Sequence, residues 1–138
     1  MRSVEELRTD LEQISVIDDH AVLLEQVINE LEDQREAALV DDVLRMFERC
    51  RGQDDYGMFS SLQCWIDKLP RSPELDAVVQ ASLLRGAPWK VVEMIGGYTS
   101  SPAQAADLLE QVLREGTFRD EQYSASWLQK RIDELRAR

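Results

Sequence analysis

The chain has 138 residues, of which 43% are hydrophobic, and it carries a formal net charge of −11 at pH 7. This length and apolar content predict a single domain over residues 1–138 and exclude a disordered chain. No apolar run approaches the roughly 20 residues of a membrane span, and the charged first residues are unlike a signal peptide. We therefore expect a cytoplasmic protein without a membrane partner.

The negative charge is concentrated in the first part of the chain. Residues 1–57 contain 16 Asp or Glu against 6 Lys or Arg, whereas residues 58–138 contain 11 against 10. Nucleic-acid binding needs clustered Lys and Arg, so we expect no nucleic-acid partner. An acidic surface attracts basic proteins and speeds their encounter, although such a surface can also serve solubility alone.

The first half of the chain predicts helices in sequence. Ser3 and Glu6 form a potential capping box ahead of a first amphipathic helix. Asp18 or Asp19 is placed to cap a second helix. The apolar stripe is then lost in a polar gap and resumes, which favours separate second and third helices over one bent helix covering residues 20–50.

Residues 54–70 are the stretch around which the chain is organised. An acidic turn over residues 54–57 precedes a fourth helix that is apolar on nearly every side. Such a helix belongs in the core, with neighbours on two sides. Pro70 is expected to end it, because proline supplies no N–H and disfavours helical geometry in the residue before it.

The second half predicts four more helices. Ser72 and Ser101 are each followed by proline, the combination of cap and first helical residue that marks a helix start. A short sixth helix is expected to begin at Pro88-Trp89, and the last helix at Asp120. Few Gly and Pro and many Leu, Glu, Ala, Gln and Arg favour helix throughout.

About eight short helices predict an all-α fold. Helix starts recur roughly every 15 residues and helix pairs roughly every 30 to 35, which is the cadence of stacked helical hairpins. We therefore expect antiparallel hairpins stacked as a HEAT-like α-solenoid. An irregular helical bundle is the alternative architecture.

Histidine and cysteine are sparse, and the abundant carboxylates lie in turns or at helix starts, where water screens them. His20 is the single histidine, so the paired histidines of a typical zinc site are missing. Cys50 and Cys64 lie in helical contexts and are expected to be buried thiols that form no disulfide. The chain has no nucleophile elbow, P-loop or dinucleotide fingerprint. We expect a protein that is not an enzyme and that binds no cofactor.

Acidic pairs near the junctions of consecutive helices predict a contact surface for a basic protein partner. Stacked hairpins would align such junctions along one edge of the fold. Aromatic side chains beside the acids supply the anchors that protein interfaces use. The predicted partner-binding residues are Asp54, Asp55 and Tyr56, supported by Asp18, Asp19, Asp41, Asp42 and Trp89.

Three segments together resemble a known family. They are the run Val43-Leu44-Arg45-Met46-Phe47, the acidic turn Asp54-Asp55-Tyr56-Gly57, and the helix Met58-Phe59-Ser60-Ser61-Leu62 with Trp65-Ile66. The pattern is similar to the immunity proteins of bacterial polymorphic toxin systems, in particular the HEAT-like helical group called immunity protein 30. The resemblance covers roughly residues 20–115, and a helix beginning near Pro88-Trp89 also fits it.

The resemblance implies a cytosolic antidote. Such a protein binds the toxic C-terminal domain of a cognate effector, from a contact-dependent or secreted system, and blocks its active site or a substrate-binding surface. The toxic domain is often a basic nuclease. The acidic charge of this chain agrees with that expectation, because an acidic surface can occupy a groove built for phosphates.

Two other functions remain open on the sequence. The first is an acidic helical-repeat adaptor, or a chaperone for a secreted effector, in a bacterial regulatory or secretion assembly. The second is a homo-oligomer whose tryptophans contact one another between subunits. For the free immunity protein, we expect a monomer or a weak dimer.

Overall fold

A computed structural model describes residues 3–14, 17–33, 37–50, 57–119 and 123–138. Within these ranges the chain is all-helical, as its composition predicted, with eight α-helices, two 3₁₀ helices and no strand. The α-helices are α1 (Val4–Gln13), α2 (Ile17–Asp33), α3 (Val40–Arg49), α4 (Met58–Asp67), α5 (Pro73–Gly86), α6 (Trp89–Met94), α7 (Pro102–Glu115) and α8 (Ala125–Arg136). The 3₁₀ helices are Ala37–Leu39 and Ile95–Tyr98.

Local capping chemistry confirms three of the predicted helix starts. At α1, the Ser3 hydroxyl accepts a hydrogen bond from the backbone N–H of Glu6, whose carboxylate accepts from the Ser3 N–H, completing the capping box. At α5 and α7, Ser72 and Ser101 accept from the N–H three residues further on, at 3.1 Å in each case. These bonds satisfy donors that a helix start otherwise leaves without a partner.

One predicted helix start needs correction, and another coincides with a kink. α2 begins at Ile17, but His20 has a non-helical φ of −123° and ψ of 18°, so a kink divides the helix just after Asp18 and Asp19. The predicted cap by Asp18 or Asp19 stays a prediction. The last helix begins at Ala125 and not at Asp120, because the Ser124 hydroxyl provides the cap by accepting from a backbone N–H 3.4 Å away.

The region between α2 and α3 confirms the prediction of two helices. α2 ends at Asp33, and α3 begins at Val40 after the short 3₁₀ helix. A single bent helix over residues 20–50 is therefore wrong. The polar gap falls where a continuous helix would have needed core residues.

α4 occupies the central position that its sequence predicted. Phe59, Leu62 and Ile66 are completely buried, and Trp65 is 5% exposed. The helix contacts α2, α3 and α6, so its apolar residues are covered from more than one side. The helix ends at Asp67, three residues before Pro70.

The helices contact one another in a regular order. α1 contacts α3, α3 contacts α5, and α5 contacts α7, while α2 contacts α4 and α4 contacts α6. α8 packs against α7. Side-chain hydrogen bonds follow the same order: Arg8 binds Asp42, 34 residues away, and Lys90 binds Ser60, 30 residues away. Each of α1 to α5 thus packs on the helix two places further along the chain.

None of the helices in the described ranges is long and apolar enough to cross a membrane.

Candidate functional site

Two of the predicted contact residues, Asp41 and Asp42, lie in the first turn of α3 and bind arginines of the same chain. The Asp42 carboxylate accepts a hydrogen bond from Arg8 Nε at 3.1 Å, and its side chain is 14% exposed. Asp41 accepts from Arg45 Nε at 2.8 Å and lies 3.7 Å from Arg85. Asp42 therefore links α3 to α1, whereas Asp41 binds within α3 and lies near Arg85 of α5.

The other predicted acids cannot be placed at side-chain level. Asp54, Asp55 and Tyr56 lie outside the described residues. Asp18 and Asp19 belong to the first turn of α2, and only their backbone is described. The predicted row of acids along one edge stays a prediction.

Trp89 lies at the start of α6, in a series of aromatic rings. Its ring centroid is 6.4 Å from that of Phe59 and 5.2 Å from that of Tyr123. Lys90 places its ammonium nitrogen 4.7 Å from the centroid of the same ring. The Trp89 indole is partly exposed, and its buried Nε1 has no hydrogen-bond partner in the described chain. The contacts of Trp89 in the described chain do not include Asp41 or Asp42.

A groove between α2 and α4 brings together residues that the sequence did not group. It consists of two adjoining clefts that share Glu32 and Ser61. The first has a volume of about 380 Å³ and is lined by Glu32, Ser60, Ser61, Cys64, Trp65 and Lys68. The second has a volume of about 350 Å³, and its lining includes Glu25, Asn29 and Glu32 from α2 and Gly57, Met58 and Ser61 at the start of α4. We call them the mixed cleft and the acidic cleft.

Charge distinguishes the two clefts. The mixed cleft contains one carboxylate, Glu32, and one ammonium group, Lys68. In the acidic cleft, Glu25 and Glu32 are the only charged side chains among its described lining residues. Two negative charges there outweigh the roughly half positive charge at the N-terminus of α4. The described lining of the acidic cleft thus carries a net negative charge.

Glu25 and Glu32 also differ from four other acids of the described N-terminal half. Both are exposed, and neither forms an ion pair or a hydrogen bond with another described residue. By contrast, Glu5, Asp41, Asp42 and Glu48 all bind arginines. The unpaired charge of the described N-terminal half therefore includes the α2 wall of this groove.

The chain matches no protein-family model, no curated protein and no solved structure in the comparisons made.

Cys64 opens onto the mixed cleft, which corrects the expectation that both thiols are buried. α4 has an exposed face at Ser60, Cys64, Asp67 and Lys68, whose spacing is helical, so the helix is less uniformly apolar than its sequence indicated. Both cysteines are free, as expected. Cys50 is completely buried, and its burial raises the pKa of the thiol to about 11.

The chemistry that this groove can perform is recognition through charge and hydrogen bonds. No group of three or more His, Cys, Asp or Glu is arranged to hold a metal ion within the described ranges. Carboxylates, an asparagine amide and serine hydroxyls face the groove, and these groups accept hydrogen bonds from cationic or polar side chains. One sequence signal could have indicated the groove. The spacing of Glu25, Asn29 and Glu32 places all three residues on one face of a helix.

Proposed function

We propose that this protein is an immunity protein that binds and neutralises the toxic C-terminal domain of a cognate bacterial effector. The resemblance of residues 20–115 to the immunity protein 30 group supplies the class of partner. The supporting observation is the pair of exposed carboxylates, Glu25 and Glu32, that line a groove and have no ion-pair partner among the described residues. The proposed protein acts in the cytoplasm, is not an enzyme, and needs no cofactor.

Charge segregation supports a basic protein as the partner. The excess of 16 acidic over 6 basic residues before residue 58 gives one part of the chain a strong negative field. Such a field raises association rates with a basic surface and repels nucleic acid. If the toxic domain is a nuclease, its phosphate-binding groove has the complementary charge, and occupying that groove would exclude its substrate.

The proposed architecture of the binding surface is a HEAT-like α-solenoid of helical hairpins. Two observations support it: each of α1 to α5 contacts the helix two places further along, and long-range side-chain hydrogen bonds join residues about one helical hairpin apart. Stacked hairpins offer an extended surface that changes little on binding. An antidote needs such a surface, because it must neutralise an already folded toxic domain.

Co-expression with the C-terminal domain encoded by the neighbouring upstream gene tests the proposal. We expect the domain to be toxic alone, and we expect cells to survive, with a salt-sensitive complex recovered, when both proteins are present. A harmless domain that still co-purifies would instead support the chaperone or adaptor function. Toxicity that this protein does not relieve, with no complex, would refute the immunity function for this pair.

Reversing the charge at Asp54 and Asp55 tests the predicted contact edge. Asp54→Lys/Asp55→Lys should slow association with the upstream-encoded domain by about tenfold or more at low salt. The association rate should also depend less on salt concentration. The matched control is Glu115→Lys/Asp133→Lys, which changes the net charge equally. Both control residues are exposed near helix C-termini, where lysine is tolerated. Equal effects of the two variants would show that residues 54–55 do not lie in the interface.

A further inference from the structure

We propose that α7 and α8 form one unit that opens away from α6 while the rest of the fold stays closed. We call these two helices the C-terminal unit. Its contact with α6, which we call the junction, involves Trp89 and Glu93 on α6 and Tyr123 and Arg131 on the α8 side. The opening is a property of the free protein, so it does not depend on the proposed function.

The two helices of the C-terminal unit are joined closely to each other. α7 packs more extensively on α8 than on α5 or on the second 3₁₀ helix. Arg136 of α8 donates hydrogen bonds to Asp107 at 2.9 Å and to Glu110 at 3.0 Å, both on α7. The ring of Trp127 lies 5.7 Å from that of Phe118, which follows α7. The two helices are therefore expected to move together.

The chain just before α7 is fixed to the other helices instead. Tyr98 donates a hydrogen bond from its hydroxyl to a carboxylate of α4, and its carbonyl accepts one from Gln80 of α5 at 2.8 Å. The Thr99 carbonyl accepts a further hydrogen bond from Arg71 at 3.3 Å. The second 3₁₀ helix therefore stays with α4 and α5. Residues 100–101 are the segment about which the C-terminal unit can turn.

The junction contains two buried N–H donors without a hydrogen-bond partner among the described residues. They are Nε1 of Trp89 and Nε of Arg131. The Trp89 ring centroid lies 5.2 Å from that of Tyr123, and Arg131 donates from Nη2 to the Glu93 carbonyl at 3.2 Å. A buried donor that lacks a partner costs free energy, which it recovers when water reaches it. Opening at the junction would hydrate both donors, so this contact is predisposed to open before the others.

The packing of the junction is also incomplete at Gly96. A Cβ atom on Gly96 would lie 3.6 Å from Cδ2 of Leu135 and 3.7 Å from Nη2 of Arg131, which are ordinary contact distances. There is thus room for a methyl group between the second 3₁₀ helix and α8. Each missing contact of this kind lowers the dispersion energy that holds the two surfaces together.

Opening would change what the protein presents to a partner. In the closed state the Trp89 ring is partly exposed and lies against Tyr123. Removing Tyr123 along with the C-terminal unit would uncover more of the Trp89 ring. Large aromatic side chains are common anchors of protein interfaces. Trp89 is therefore more available for binding in the open state than in the closed state.

Native-state hydrogen exchange of the free, full chain tests the opening by NMR. We expect the most protected amides of α7 and α8 to share one protection factor, about tenfold or more below that of α3 and α5. The indole N–H of Trp89, identified by the loss of its signal in Trp89→Phe, should exchange with them. Equal protection of the C-terminal unit and of α3 and α5 would overturn the proposal. Separate exchange of α7 and α8, or joint exchange of α6 with them, would also overturn it.

Gly96→Ala and its matched control Gly97→Ala test the place of the opening. Both glycines lie in the same 3₁₀ helix, and neither has a φ in the left-handed region. A Cβ atom on Gly97 would have nothing within 4 Å, so only Gly96→Ala adds a contact across the junction. We expect Gly96→Ala to raise the protection factors of α7 and α8 about threefold above those of Gly97→Ala. Equal protection factors of α7 and α8 in the two variants would contradict an opening at this junction.

Discussion

Gly86→Ala, at the contact between α3 and α5, should have two opposing effects on the free energy of unfolding. Gly86 is the last residue of α5, and its φ is not in the left-handed region. In a helix, replacing glycine with alanine normally stabilises by about 1 kcal/mol, because glycine loses more backbone entropy on folding. Here, however, a Cβ atom would lie 2.7 Å from both Cγ and Oε1 of Glu48.

Glu48 cannot move away without losing bonds. Its carboxylate accepts hydrogen bonds from Arg85 Nε at 2.8 Å and from Arg85 Nη2 at 2.6 Å, and a further one from the buried Ser82 hydroxyl at 3.1 Å. Displacing it would weaken charge-assisted bonds that together contribute roughly 2–3 kcal/mol, discounted because Arg85 is partly exposed. The net effect expected for Gly86→Ala is a loss of about 1–2 kcal/mol in the free energy of unfolding.

A double-mutant cycle in urea unfolding isolates the clash. On a Glu48→Ala background, Gly86→Ala should no longer destabilise and should stabilise by up to about 1 kcal/mol. Gly97→Ala is the matched control, because its Cβ would have nothing within 4 Å. The reasoning is refuted if Gly86→Ala stabilises the protein that retains Glu48, or if its effect is the same on both backgrounds.

Three further predictions test other contacts. With a thiol reagent at pH 8, one thiol per folded chain (Cys64) should react rapidly and the second (Cys50) only after denaturation; two equally fast thiols would contradict the burial of Cys50. Tyr98→Phe should cost about 1 kcal/mol at pH 7.5 through loss of the hydrogen bond that Tyr98 donates to Asp67. Burial and Asp67 raise the pKa of Tyr98 above its ordinary 10.0, so this stabilisation should be complete below pH 10 and decline above it. In urea unfolding, the difference in the free energy of unfolding between the two proteins should therefore shrink at high pH. A difference that widens would contradict the prediction. Asp42→Asn should lower the free energy of unfolding slightly, as measured by urea unfolding, and leave the rate of association with the upstream-encoded domain within about twofold. A tenfold slower association would place Asp42 in the interface.

The parts of the fold that were predictable from sequence are those determined by neighbouring residues. Ser3, Ser72 and Ser101 each cap a helix through a bond to a backbone N–H three residues away, so the cap and its helix lie in one short segment. The last helix shows the limit of this reasoning. Asp120 and Ser124 are both residues that can cap a helix, and local preference alone does not choose between them.

The parts that were missed depend on residues far apart in the chain. Cys64 appeared to be a core residue because α4 is rich in apolar side chains, but which face is covered depends on where α2, α3 and α6 pack. The groove has the same origin, since Glu32 and Ser61 meet only when α2 lies against α4. Likewise, nothing near Asp42 in sequence identifies Arg8, 34 residues away, as its partner.

Acidic residues with and without an arginine partner have different electrostatic effects. Glu5, Asp41, Asp42, Glu48 and Asp76 have arginine partners, and a charge with an opposite charge a few ångströms away produces a field that falls off quickly with distance. Glu25 and Glu32 on α2 have no such partner among the described residues, so their field extends to about the Debye length, near 8 Å at physiological salt. An approaching basic surface is therefore drawn to the α2 wall of the groove more than to Asp41 or Asp42. Substitutions at the paired acids should accordingly change stability, and substitutions at Glu25 and Glu32 should change association.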